Sequence, residues 1–183
     1  LHNNYSNDMP SPYLMNSTIY LRACEPEDLE VMYHIENNTS LWEVSGITVP
    51  YSRYTLKQYI ESSKNDIYAD KQLRLMAVDK KKNKVIGIAD LTDFDPLHSR
   101  AAVGIVVLED DRRKGYANQI LQLLYEYSFN FLHLHQLYAF VSCDNEASLA
   151  LFYGNGFLQC GLLKEWLQAD DGYKDAYLLQ RIQ

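Results

Sequence analysis

Cysteine is scarce in this 183-residue chain: Cys24, Cys143 and Cys160 are odd in number, widely spaced and free of any CxxC or Cys/His grouping. That excludes a disulfide framework and a zinc site as the basis of the fold, and makes a reducing cytoplasm the expected compartment with no metal required. Glycine is sparse as well, at eight residues. There is no GxGxxG, and no Ser or Thr follows Lys114 as a GxxxxGK[ST] loop would need, so dehydrogenase and kinase readings lose ground. No run of about 18 apolar residues and no charged-then-apolar leader is evident, so neither a membrane span nor a signal peptide is expected. Positive charge is also short, with 17 Lys plus Arg against 24 Asp plus Glu and a formal net charge of −7. A nucleic-acid binder built on a broad basic face is thereby disfavoured, and an amine or polyamine substrate suits the sign better.

What is present fits one domain able to bury a real core, with 47% hydrophobic and 22% charged residues. The polar, proline-bearing start, residues 1–17, is expected to be a flexible extension, leaving 18–183 as the domain. "TIYLRA" at 18–23 alternates as a strand does, and "CEPEDLEVMYHIEN" puts Pro26 and three acids where a first helical turn wants them. Thr55 with Gln58 resembles a capping box opening a helix "LKQYIESSK", after a loop "SGITVPYSRY" that is a candidate substrate wall. From Arg74 three β-rich runs form a meander, and the lysines at 80–82 and 84 read as a solvated hairpin turn. Ala117, Ile120, Leu121, Leu124, Tyr127 and Phe131 recur at helical spacing over about four turns. "HQLYAFVS" is a buried strand, Asp144 or Asn145 caps a second helix stopped by Gly156, and two strands joined across "ADDG" close the chain. The order is that of an α/β layer, a central mixed sheet covered by helices.

One stretch concentrates cations in an acidic chain. "LEDDRRKGYANQ", Leu108 to Gln119, carries Arg112, Arg113 and Lys114 immediately before Gly115 and a long helix. The positive end of a helix, with its unpaired N–H groups, is an anion site, and a glycine there lets a bulky phosphate approach the backbone. Three added cations exceed what one phosphate needs, so a pyrophosphate with a further phosphate is the natural guest; pairing with Asp110 and Asp111 on a solvated surface is the alternative. Asn145, at the next helix start, reads either as a cap or as a ligand contact.

Taken together, R-x-x-G-x-A (Arg112, Gly115, Ala117) after a strand and N-x-x-S-x-x-L-x-x-x-x-G-F (Asn145, Ser148, Leu151, Gly156, Phe157) resemble the GNAT superfamily of acetyl-CoA-dependent N-acetyltransferases. Within it the chain is most similar to spermidine N-acetyltransferases and ribosomal-protein N-terminal acetyltransferases. The resemblance implies a single GNAT-like domain of mixed central sheet and flanking helices. It implies that Arg112, Arg113, Lys114, Gly115, Tyr116 and Ala117 offer backbone N–H groups to the coenzyme A pyrophosphate. It further implies that Ile105, Val106 and Val107 run beside the pantetheine arm, and that Asn145 and Ser148 complete the coenzyme site. N–H groups near Val107 and Leu108 would polarise the thioester carbonyl. Many relatives carry a tyrosine acid directly after the Leu of the second motif; here that position is Phe152, and Tyr153 is the candidate acid. Glu36, Asp90 and Asp93 are candidate substrate-binding carboxylates, with Glu43, Asp95 and His98 as further candidate bases. The expected partner is a small amine, with a protein N-terminus or coenzyme A binding without turnover as alternatives; a homo-oligomer is compatible with either.

Overall fold

The computed structural model describes residues 11–41 and 48–183. Seven strands form one sheet in the order β1-β2-β3-β4-β5-β7-β6, comprising β1 (Ile19–Ala23), β2 (Leu73–Asp79), β3 (Lys84–Asp95), β4 (Arg100–Val107), β5 (Gln136–Ser142), β6 (Leu158–Ala169) and β7 (Gly172–Ile182). All neighbours run antiparallel except β4 and β5. A parallel pair needs a crossover, and this one is supplied by α4 (Tyr116–Glu126). The other helices are α1 (Leu29–Glu36), α2 (Arg53–Ser62), α3 (Ile67–Asp70) and α5 (Glu146–Gly154).

Strand alternation divides the interior into two layers. On β2, Leu73, Leu75 and Ala77 join a cluster completed by α4 and α5, whereas Met76 and Val78 join a second one under α1 and α2. Ile120, Leu121 and Leu124 of α4 are fully buried in the first cluster, each worth roughly 1.5–3 kcal/mol of burial. Met32 and Ile35 of α1, with Leu56 of α2, cover the second.

Three sequence expectations change in detail. The helix after Gly115 is three α-turns followed by a π-turn at Tyr127–Phe131, where Tyr127 and Phe131 stack at 5.3 Å and Phe129 is buried. The wider turn leaves Phe129 in the core, Tyr127 packed against its edge and Phe131 exposed. The α2 helix begins at Arg53, not after Thr55: Ser52 is the cap, its Oγ accepting the Thr55 N–H at 3.0 Å. Residues 11–17 of the expected extension are packed rather than loose, since Asn16 donates to Gln119 at 3.1 Å, Tyr13 meets Phe131 at 5.6 Å, and Leu14 lies against the main core. Residues 1–10 lie outside the described residues.

Candidate active site

The parallel β4–β5 pair holds for only three registers, Arg100↔Gln136, Ala101↔Leu137 and Ala102↔Tyr138. Beyond them Val103–Val107 stay zipped to β3 and Ala139–Ser142 stay zipped to β7, so the two strands part while each remains fixed by its outer neighbour. The opening is therefore bounded on both sides by a strand paired to an outer neighbour. Strand alternation decides which groups face it. The Ser99 carbonyl accepts from His135 and Gln136 on the β5 side, and the Leu108 N–H donates to the Ile86 carbonyl of β3 at 2.9 Å. Counting by two from Ser99, the backbone groups of Val103, Ile105 and Val107 face the opening, and those of Val106 face β3. Leu108 is thus corrected as a donor to a thioester carbonyl, because its N–H is spent within the sheet; Val107 is the residue with the required direction.

At the mouth of this opening the chain makes a short turn over Glu109–Asp111 and enters α4 through Gly115, whose φ is +78°. A Cβ at Gly115 would meet nothing within 4 Å, and no side chain caps the helix there. The first-turn N–H groups consequently face a loop with room for a phosphate, flanked by the exposed side chains of Arg112, Arg113 and Lys114. Arg112 Nε donates to the Val107 carbonyl at 3.2 Å and thus ties the loop to the strand end. Tyr116 offers the site only its backbone, for its ring is buried and its hydroxyl donates to Asp79. Asn145 caps α5, its Oδ1 accepting from the Ser148 N–H at 3.1 Å, so the cap alternative is realised and Asn145 and Ser148 act as one unit. The two motif helices are joined by Asn155 donating to Asn118 at 2.8 Å.

A cleft of about 420 Å³ adjoins this mouth, bounded by Val31, His34 and Ile35 of α1, by Lys84 of β3, and by Val106 through Asp110 with Arg112. Deeper under α1, sequence reasoning missed the organising residue. Arg74 of β2 is a lone cation in the apolar run "LRLMAVD", and it grips Asp90 of β3 through two hydrogen bonds of 2.8 and 2.7 Å while also donating to Glu36 of α1. Burial opposes charge on Arg74, but Asp90 and Glu36 outweigh it and hold the guanidinium more firmly charged than usual. Glu36 and Asp90 are thus brought together, two carboxylates on one cation. Asp93 is not with them: a bulge between Thr92 and Asp95 turns it outward at a φ of +49°, on the exposed end of β3. Beside this cluster, burial, with Asp28 nearby, pushes the Cys24 thiol up to about 11, which disfavours its thiolate form.

The candidate loop is stitched to α1 where it is described: Asn37 accepts from the Tyr51 N–H at 2.9 Å and donates to the Tyr51 carbonyl at 3.0 Å. Glu43 lies outside the described residues. Phe152 turns inward, 6% exposed and edge-on to Phe157 at 4.9 Å. Tyr153, one step round the helix, is 43% exposed and donates its hydroxyl to Gln159 at 3.2 Å.

A family model described as an acetyltransferase (GNAT) domain matches residues 18–158. The chain belongs to the GNAT acetyltransferase family. Acetyl-CoA-dependent N-acetyl transfer is the activity that this membership carries. Among similar proteins, the spermidine N(1)-acetyltransferase of Vibrio cholerae is 28% identical over 169 residues, covering 91% of this chain and 95% of that protein. The solved structure of spermidine N-acetyltransferase from Vibrio cholerae in complex with CoA and spermine superposes with a TM-score of 0.82 at 26% identity, covering 92% of this chain and 97% of that one. A shorter likeness, 28% over 102 residues, covers 56% of this chain and 57% of the ribosomal-protein-serine acetyltransferase of Escherichia coli. The GNAT family match spans both motifs read from the sequence and all the strands from β1 through β5.

Proposed function

We propose that this GNAT enzyme moves the acetyl group of acetyl-CoA to a primary amine of a polyamine such as spermidine, or of another small amine. The observation that carries the reading is the built opening between β4 and β5, with the glycine turn of α4 at its mouth. A coenzyme arm laid beside Ile105, Val106 and Val107 replaces the missing strand partner, and the pyrophosphate meets the N–H groups of Arg112 through Ala117. A strand edge that its neighbour leaves offers directed backbone donors and acceptors, so an opening of this kind favours a ligand that hydrogen-bonds like a strand. Asn145 and Ser148 complete that wall from α5.

The polyamine choice is supported by the relatives' activity, by the acidic chain, and by Glu36 and Asp90, two carboxylates that Arg74 holds together under α1. An alkylammonium with a reference pKa near 10.4 must lose a proton before it attacks, and a water relayed to this carboxylate pair is the chemical route. The Val107 N–H, directed into the opening, polarises the acetyl carbonyl. The departing thiolate takes its proton from water or from Tyr153, since a thiol of pKa near 8.5 leaves readily even without a placed acid.

The deciding experiment is release of coenzyme A thiol from acetyl-CoA with spermidine, spermine, amino sugars and N-terminal peptides in parallel. Turnover on the polyamines, with products identified by mass, is expected. Turnover on peptides alone moves the assignment to the protein N-terminal class, which the ribosomal-protein relative makes the second reading. Saturable coenzyme binding with no turnover on any amine overturns both.

A further inference from the structure

The lysines of the β2–β3 hairpin, which sequence reading left to solvent, are drawn into the coenzyme end of the molecule. Antiparallel pairing sets Gly87 opposite Val107, so Lys84, three residues earlier on β3, lies where β4 gives way to the basic loop. Asp111 of that loop is 2% exposed, and it gathers three ammonium groups: Lys84 and Lys114 at 3.1 Å each and Lys82 at 3.7 Å. Burial works against charge on Asp111, but hydrogen bonds from Lys114 and Lys84 outweigh it and keep the carboxyl below its usual range. Lys82 also stands 6.0 Å from the ring centroid of Tyr116, the first residue of α4, and its own N–H donates to Asp79, which the Tyr116 hydroxyl holds from the other side. All three lysine side chains remain about half exposed, at 47%, 49% and 47% for Lys82, Lys84 and Lys114.

One carboxylate does not consume three cations. Residues 79–84 and 109–115 together hold seven Lys and Arg against four Asp and Glu, a positive surplus on a chain whose net charge is −7. The helix-end N–H groups at Gly115 are neutral donors fixed in direction, matched to a pyrophosphate lying against the backbone. A phosphate monoester, with a charge of roughly −1.5 to −2 at neutral pH, is better met by mobile ammonium groups acting as point charges. We infer that Lys82 and Lys84, held by Asp111 beside Lys114, form a separate subsite for the terminal phosphate monoester of the coenzyme, the 3′-phosphate on its ribose. This deepens the proposed function and rests on its coenzyme site. Asp111 is then a positioning residue that brings two distant segments of chain to one anion.

The test is isothermal titration calorimetry of the full chain with coenzyme A and with 3′-dephospho-coenzyme A. The wild type is expected to prefer coenzyme A by about tenfold, the worth of one or two partly exposed charge contacts. In Lys82→Gln/Lys84→Gln the preference falls below about twofold, with affinity for the dephospho form unchanged within twofold; Lys82→Arg/Lys84→Arg retains the preference. Unchanged affinity for the dephospho form is also the control for folding, since a damaged loop loses both ligands. Equal weakening of both ligands, an intact preference in the glutamine variant, or equal affinity in the wild type overturns the subsite while leaving the coenzyme site standing. A wild type that binds neither ligand overturns both.

Discussion

The two sides of β4 solve opposite problems with different materials. The proposed coenzyme side is made of backbone: a strand edge from Val103 to Val107 that β5 abandons, and a glycine turn whose N–H groups no side chain caps. The proposed acceptor side is made of charge: Arg74 locked between Asp90 and Glu36, beside the apolar faces of α1 and α2. A backbone site needs little more than the absence of side chains and strand partners, so single substitutions shift it moderately. A buried ionic site has each member holding the others in place, so removing one is severe.

Arg74→Met is the strongest way to break this comparison. It leaves Glu36 and Asp90 close together without the cation they share, and a loss of about 3–5 kcal/mol in unfolding free energy is expected by denaturant titration. At denaturant-free conditions where the variant still folds, coenzyme affinity should remain within about threefold, because Arg74 belongs to β2 and the opening to β4. A large loss of coenzyme affinity with intact stability would mean that the two sides are not separate.

Asp111→Asn follows, at roughly 2 kcal/mol for charge-assisted hydrogen bonds lost to a neutral amide. Here pH supplies the sign. The Asp111 carboxyl is held below its usual value in the folded chain, so its contribution is fully present above the unfolded carboxylate range near 3.9 and disappears as pH falls through the lower folded value. Melting curves of wild type and Asp111→Asn should therefore be separated at pH 7 and converge only in the acid limb. A gap that persists at the lowest pH would show that packing, and not charge, anchors the loop.

Gly115→Ala is a smaller perturbation of the backbone side. At φ +78° an alanine costs on the order of 1 kcal/mol, and since a Cβ there would touch nothing within 4 Å there is no clash to add. The new methyl stands in the space assigned to the pyrophosphate, so the KM for acetyl-CoA should rise about tenfold with kcat little changed, a pattern of lost uniform binding.

The same contrast explains what could be read from the sequence. Elements with a local signal were legible: the amphipathic face of α4, the Asn145 cap, the closing hairpin over 169–172 and the glycine turn each rest on residues near one another in the chain. The basic cluster before Gly115 was visible for the same reason. Arg74 with Glu36 and Asp90 was not, because the partners are 38 and 16 residues away and a strand position alone gives no partner. Nor was the union of Lys82 and Lys84 with Asp111, which depends on the β3–β4 register bringing a hairpin tip to a loop some 27 residues later. Asp90 and Asp93 looked equivalent in sequence, and only a bulge separates them, turning one toward Arg74 and the other outward.

Tyr153→Phe should have the smallest effect, and it bears on whether the backbone side needs a side-chain acid at all. The hydroxyl of Tyr153 is bonded to Gln159 and the ring is 43% exposed, while the inward position one residue earlier is filled by Phe152 packed on Phe157. Successive helical residues diverge by about 100°, so the two rings cannot exchange places without turning α5, and that helix is fixed by the Asn145 cap at one end and Asn155 at the other. With water able to protonate a thiolate of pKa near 8.5, kcat in Tyr153→Phe should stay within about threefold of wild type across pH 6–9. A fall of a hundredfold or more, with loss of the alkaline limb of the pH profile, would instead establish Tyr153 as the acid and require its hydroxyl to leave Gln159 during turnover.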